Sequence, residues 1–142
     1  MKAISLWQPW ASLWLSPRKV HETRHWPTDH RGPLCVHAAK RLVTDCGEEL
    51  DEICISEFGA LWRRTLPRGA LLGTVDLIDC LPTNARPMFM PMNGDDLACG
   101  DFSADRYGWR RDSFSLFDKP IPYIGRQGFF QVPDAMLAER NR

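Results

Sequence analysis

The stretch Arg18-Lys19-Val20-His21-Glu22-Thr23-Arg24-His25-Trp26 decides how the rest of this chain is interpreted. Six of its nine residues are ionisable when the histidines are counted, yet Val20, Thr23 and Trp26 favour a β-strand. Ser16-Pro17 lies just before it and ends the preceding element, because a residue before proline is pushed out of the helical region. The sequence therefore predicts a charged strand entered through a turn. We interpret it as a candidate functional site, with an ordinary half-exposed strand as the alternative.

Composition narrows the classes of protein that this chain can represent. Its 142 residues suffice for one domain, 1–142, with one hydrophobic core. The 18 Lys and Arg residues balance 18 Asp and Glu residues, which disfavours a protein that binds long duplex nucleic acid by counterion release but leaves room for a local basic cleft. The sequence has no apolar run of transmembrane length and no signal-peptide pattern, so we expect a cytoplasmic protein without a membrane partner.

The five cysteines predict neither a disulfide framework nor a metal site. Their number is odd and no two are closer than eight positions, so we expect reduced thiols. His21 and His25 would share a strand face, but no third ligand stands at a convincing spacing. The sequence therefore predicts no metal and no cofactor.

Hydrophobic periodicity predicts a mixed α+β chain. Strands are expected over 2–6, 18–26, 34–39, 70–81, 113–117 and 129–132, and helices over about 10–15 and 44–64. Asp45 and Glu48 are placed like a cap pair for the second helix. Its apolar stripe contains Leu50, Ile53, Phe58, Leu61 and Trp62. Residues 135–142 are expected to form a frayed tail.

Two later segments have functional interpretations. Residues 82–100 hold three of the five methionines and three prolines, so we expect a long loop. Its Met88–Met92 part is expected to cover a cleft as a lid, with a disordered segment as the alternative. Residues 102–110 mix aromatic and basic side chains, which suits stacking a base and contacting a phosphate. Tyr107 and Trp109 share a strand face there, and the alternative is that both are core aromatics.

Two polar residues lie in strands that are otherwise apolar. Asp76 is surrounded by apolar positions of strand 70–81, and a buried carboxylate needs a partner, for which Lys19 or Arg24 is the candidate. An Asp76 that faces an edge is the alternative. His37 lies opposite the apolar face of its strand, where it is either a site residue or merely half exposed.

Three segments together resemble the ASCH domain, a relative of PUA domains. They are Ile4-Ser5-Leu6 leading to Gln8-Pro9, the block 19–24, and Gly73-Thr74-Val75-Asp76. The family pattern G-x-K-x-x-E-x-R is met by Lys19, Glu22 and Arg24, with Pro17 in place of the glycine. The resemblance covers nearly the whole chain. It implies an α+β fold, a small PUA-like mixed β-barrel flanked by two or three helices, with a cleft where the charged residues meet.

The resemblance implies two classes of function. Some ASCH-like proteins are RNA-binding modules or are associated with RNA cleavage, and one bacterial branch hydrolyses the amide of N4-acylated cytidine. That branch uses a lysine, a threonine three residues later and an acidic residue on a later strand. Lys19 and Asp76 match the first and third, whereas Glu22 stands in the place of the threonine.

We therefore expect a metal-free amidohydrolase that acts on N4-substituted cytosine nucleosides by direct attack of water. Glu22 would accept the proton of the water, Lys19 would stabilise the oxyanion and Asp76 would relay a proton to the departing amine. Lys19 and Glu22 are three residues apart, so they converge only if Lys19 lies in the preceding turn or a bulge intervenes.

Substrate binding and partners complete these expectations. The predicted substrate-binding residues are Trp7, Thr23, Arg24, His37, Tyr107 and Trp109. The alternative function is an RNA-binding module, which would show a continuous basic surface from the cleft to Arg106, Arg110 and Arg111. The expected partners are a nucleoside or modified base and single-stranded RNA, with the protein a monomer or a homodimer.

Overall fold

The computed structural model describes residues 1–84 and 94–138 of this chain as one curled sheet with short helices around it. The strands are β1 (Lys2–Gln8), β2 (His21–Arg24), β3 (Gly32–Leu42), β4 (Ala70–Pro82), β5 (Tyr107–Pro122) and β6 (Phe129–Gln131). The helices are α1 (Trp10–Trp14), α2 (Glu48–Phe58), α3 (Trp62–Thr65), α4 (Gly94–Ala98) and α5 (Asp134–Ala138). The strand order is β2-β5-β4-β3-β1-β6, and β1 and β3 form the parallel pair.

The expectation of one hydrophobic core is wrong, because side chains that alternate along the central strands build two cores, one on each face of the sheet. Ile4 and Val36 point into the main core beneath α1, whereas their neighbours Ala3 and Cys35 point into a second core with β6 and α5. The sheet curls around the main core, and its two ends approach where the ring of Trp26 lies 5.2 Å from that of Phe129. The predicted α+β fold of mixed strands is confirmed, as a curled sheet that is not closed.

The helical segment predicted over 44–64 is divided. It forms α2 and α3, separated at Gly59, whose φ of 97° is not a helical conformation. The predicted Asp45 and Glu48 cap is wrong, because Gly47 is the N-cap and no side chain caps the helix. Leu61 is 61% exposed, so its place in the apolar stripe is also wrong, since it lies between the two helices.

Two segments that were expected to be irregular contain helices. The loop prediction for 82–100 is wrong over α4, and Met88–Met92 lie outside the described residues, so the lid stays a prediction. The frayed tail is wrong over α5, where Leu137 is 4% exposed because it packs against the second core. No helix among the described residues is long and apolar enough to cross a membrane.

Candidate functional site

A buried lysine and a glutamate lie at the entrance to β2. The turn 14–19 is fixed by Arg111, whose guanidinium donates hydrogen bonds to three of its main-chain carbonyls. Lys19 therefore stays in the turn, where its Nζ lies 3.1 Å from Oε2 of Glu22 and donates to the carbonyl of Cys99 at 3.1 Å. Lys19 is fully buried and Glu22 is 7% exposed. The two residues thus converge because Lys19 lies in the turn, which is one of the two arrangements that their spacing allows.

A carboxylate that sequence patterns did not reveal holds the same strand. Asp96 of α4 accepts hydrogen bonds from the main-chain N–H groups of Val20 and His21, and its Oδ2 lies 2.6 Å from Nδ1 of His21. Burial raises the pKa of Asp96, but these hydrogen bonds outweigh it, so the pKa lies below the ordinary value. Gly94-Asp95-Asp96 before an apolar pair is a helix-start signal that could have revealed α4.

A cleft formed by the described residues has a volume of about 870 Å³ and lies where the two ends of the curled sheet approach. Strand β2 and residues 25–26 form one side, β1 and β3 form another, and the loop 123–128 completes it. The predicted site residues that line it are Trp7, Glu22, Thr23, Arg24 and His37. Lys19 lies behind Glu22 and does not line the cleft.

Two arginine side chains, Arg24 and Arg106, line the cleft beside each other. Burial lowers the pKa of Arg24, the charge of Glu22 raises it, and the charge of Arg106 lowers it further, with a net lowering. Nε of Arg24 is buried and has no hydrogen-bond partner within residues 1–84 and 94–138. Arg106 is held by hydrogen bonds to the carbonyls of Thr23 and Asp101. Two neighbouring guanidinium groups with one unused donor form a site suited to an anion.

Asp76 lies on the other face of its strand. Its neighbours Val75 and Leu77 point into the main core, so Asp76 points away from it, and it does not line the cleft. The predicted pairing of Asp76 with Lys19 or Arg24 is therefore wrong. The sequence could not show this, because both faces of β4 carry apolar residues.

The two aromatic residues assigned to base stacking belong to the core. Trp109 is fully buried and its indole N–H donates to the carbonyl of Trp26, while Tyr107 packs against the same core. Neither residue lines the cleft, so their predicted place in it is wrong and the core alternative is correct. Arg111 is 5% exposed, and the expected basic surface does not run through it because its donors bind the turn.

The remaining predicted side chains have identifiable contacts. Oγ1 of Thr23 accepts a hydrogen bond from the N–H of Asp101, so it also holds the neighbouring loop. Trp7 is 48% exposed, with the guanidinium of Arg41 4.2 Å from the centre of its ring. Among the described residues, no three His, Cys, Asp or Glu side chains are grouped in a way that could hold a metal ion.

A serine and a histidine meet in the cleft in a way that the sequence did not reveal. Ser5 of β1 and His37 of β3 are register partners, and Oγ of Ser5 lies 2.8 Å from Nδ1 of His37. Nε2 of His37 lies 2.7 Å from the carbonyl oxygen of Tyr123. Burial lowers the pKa of His37, against the raising effect of the Tyr123 carbonyl. Only the parallel register of the two strands brings this pair together.

Comparisons with known proteins agree with this architecture. The sequence model of the ASCH domain matches residues 4–99. Activating signal cointegrator 1 of Mus musculus is 39% identical over 88 residues, which cover 55% of this chain and 14% of that protein. The Homo sapiens protein of the same name matches with the same identity and coverage. The chain thus spans about one seventh of the length of these relatives.

Solved structures share the fold at low sequence identity. The crystal structure of ASCH from Zymomonas mobilis has a TM-score of 0.57 and 12% identity, covering 97% of this chain and 91% of that one. A mutant of the same Zymomonas mobilis protein, with one tyrosine changed to phenylalanine, has a TM-score of 0.55 and 11% identity, with 97% and 94% covered. At this identity the likeness establishes the fold alone.

Proposed function

This chain belongs to the ASCH domain family, and from that premise we propose that its cleft binds a nucleotide unit of single-stranded RNA. The observation that carries the proposal is the pair of guanidinium groups of Arg24 and Arg106 in an open cleft that also contains exposed aromatic surface. A nucleotide combines an anionic phosphate with a flat aromatic base, so it matches both features.

The phosphate is assigned to the two arginine side chains. Arg24 and Arg106 are neighbours, and Lys40 and Arg126 line the same cleft. Glu22 is balanced by Lys19 at 3.1 Å, and Arg106 lies 3.5 Å from the carboxylate of Asp101. Arg24, Lys40 and Arg126 therefore leave the lining with an excess of positive charge. A ligand phosphate beside Arg24 and Arg106 would offset the repulsion between the two guanidinium groups.

The base is assigned to Trp7 and to Glu22. Trp7, at 48% exposed, lines the cleft and offers ring surface for stacking. The Glu22 carboxylate is held from behind by Lys19 and can accept a hydrogen bond from an exocyclic amino group, as carboxylates do with N4 of cytosine. This arrangement favours a cytosine-like base over one without an amino donor.

Fluorescence anisotropy with labelled short single-stranded RNA over a salt series tests the proposal. Arg24→Gln and Arg106→Gln are each expected to weaken binding and to flatten the salt dependence, by about 0.7 in the logarithmic slope for each lost phosphate contact. Lys119→Gln, which changes an exposed cation of β5 that does not line the cleft, is the matched control. Equal affinity of all three variants and the native chain would contradict the proposal.

A second candidate function is hydrolysis of an N4-acylated cytosine nucleoside, and it is favoured by the way in which Glu22 faces the cleft. A carboxylate placed there can accept the proton of a water molecule that attacks the acyl carbonyl. Fully buried Lys19 would act behind it as a positioning residue instead of contacting the oxyanion, and Asp76 has no part.

Incubation with N4-acetylcytidine, followed by ultraviolet absorbance, tests this second function. Turnover that persists with a chelator and falls at least about 10²-fold in Glu22→Gln would support it. Absence of turnover in the native protein across several acyl groups would exclude it, and RNA binding would be judged separately.

A further inference from the structure

We propose that Ser5 and His37 form a nucleophile and general-base pair that gives the cleft an acyl-transfer activity on small carboxylic esters. The pair is separate from Glu22 and does not require RNA binding. Ser5 Oγ and His37 Nδ1 are 2.8 Å apart, within the distance at which a histidine accepts the proton of a hydroxyl nucleophile.

The hydrogen bonds fix which nitrogen of His37 carries the proton. The carbonyl oxygen of Tyr123 can only accept, so Nε2 at 2.7 Å must be the donor. Burial lowers the pKa of His37 and favours the neutral ring, which then has its lone pair on Nδ1. Ser5 therefore donates to His37, which is the direction that general-base activation needs. The Tyr123 carbonyl takes the orienting place that a third group holds in serine hydrolases.

Ser5, the nucleophile, lies on the side of the cleft, and His37, the base, lies behind it. Ser5 is partly exposed and lines the cleft, whereas His37 is 2% exposed. Gly125 packs directly over the pair, since a Cβ there would lie 2.5 Å from Cε1 of His37 and 3.0 Å from Oγ of Ser5. The absence of a side chain at 125 therefore allows the loop to pack closely against the pair, while Ser5 remains part of the cleft lining.

The reaction proceeds in two steps, acylation of Ser5 and hydrolysis of the acyl-Ser5 ester. Oγ of Ser5 attacks the ester carbonyl carbon while its proton passes to Nδ1 of His37. The tetrahedral intermediate then expels the alcohol, which takes that proton from His37 and leaves an acyl-Ser5 ester. Water attacks the acyl-Ser5 carbonyl, again giving a proton to His37, and Ser5 leaves with that proton as the carboxylic acid is released. Lys40 and Arg126 supply positive charge in the same cleft while the oxyanion is present.

A fluorophosphonate probe followed by peptide mapping tests the nucleophile directly on the native chain. Attack by Ser5 would form a phosphonyl-serine with release of fluoride, so the expected result is a single adduct on the peptide that contains residue 5. His37→Gln is expected to slow labelling by about 10²- to 10⁴-fold. Ser115→Ala removes an exposed serine on β5 and is expected to label at the native rate.

Two further measurements separate a nucleophile from a serine that is merely hydrogen-bonded. Hydrolysis of p-nitrophenyl acetate should show a burst of nitrophenol equal in concentration to the protein. The rate of probe labelling should decrease at acidic pH through a single protonation step, and this step should be absent in His37→Gln. No adduct on Ser5 in the folded native protein would overturn the proposal, as would equal labelling of the native chain and His37→Gln. Labelling needs no RNA, so its failure and a failure of RNA binding are distinguishable.

Discussion

Removing the charge of Lys19 is expected to destabilise the fold strongly, because Lys19 and Glu22 are buried together. Lys19→Met keeps most of the aliphatic stem but leaves the carboxylate of Glu22, 7% exposed, without its counter-ion. At 3.1 Å and an effective dielectric constant of about 20, the Coulomb attraction is about 5 kcal/mol. Breaking a buried pair by removing one partner costs about 3–5 kcal/mol. We expect the free energy of unfolding to fall by that amount.

Urea unfolding followed by tryptophan fluorescence measures this loss. With an m-value of about 1.5 kcal/mol/M, the midpoint should fall by about 2–3 M. The double variant Lys19→Met with Glu22→Gln removes both charges, so it should recover at least about 2 kcal/mol relative to Lys19→Met alone. Lys119→Met, which changes an exposed cation, should change stability by less than about 0.5 kcal/mol.

The result that would refute this reasoning is a small loss. If Lys19→Met lowered the free energy of unfolding by less than about 1 kcal/mol, the pair would behave like an exposed one, for which such values are usual. A double variant no more stable than Lys19→Met would likewise show that the two charges are not coupled. In either case Lys19 could not be assigned the role of holding Glu22 toward the cleft.

Three other predictions concern the surroundings of the site. Gly125→Ala places a methyl group 2.5 Å from His37 and 3.0 Å from Ser5. Thermal unfolding should therefore show a free energy of unfolding lower by about 1–3 kcal/mol, and probe labelling of Ser5 should fall. Unchanged labelling would contradict the close packing of Gly125 on the pair. Asp96→Asn replaces the carboxylate that accepts three hydrogen bonds from Val20 and His21 with a neutral amide. Chemical unfolding should show a free energy of unfolding lower by about 2–3 kcal/mol. A decrease below about 0.5 kcal/mol would contradict the role of Asp96 in holding β2. The lowered pKa of His37 means that the unfolded chain binds a proton on this residue more readily than the folded chain does. The stability that His37 contributes is therefore complete above the ordinary pKa of about 6.5 and is lost as the pH falls from there toward the folded pKa. Unfolding midpoints measured over a pH series would contradict this if the native chain and His37→Gln differed by a constant amount.

Local patterns were sufficient to identify most of the strands. Proline at 17 ended α1, and the alternation of Leu34, Val36 and Ala38 set the inward face of β3. These features depend on residues that are close together along the chain, so they can be predicted from the sequence alone.

The cleft depended on contacts between distant segments. Asp96 reaches His21 across 75 positions, and Ser5 reaches His37 only because β1 and β3 are parallel and in that register. Because both faces of β4 carry apolar residues, the sequence pattern could not show to which face Asp76 points. Trp109 is buried because the sheet curls around the main core.

The sequence by itself determined the α+β class and most of the strands, because each follows from local stereochemistry and hydrophobic period, whereas the pairing of Lys19 with Glu22 also needed the turn that Arg111 holds. Only the tertiary structure decided which polar side chains share the cleft. Side-chain direction in a strand alternates with every residue, so a site made by several strands depends on register and sheet curvature, which the packing of the whole chain fixes.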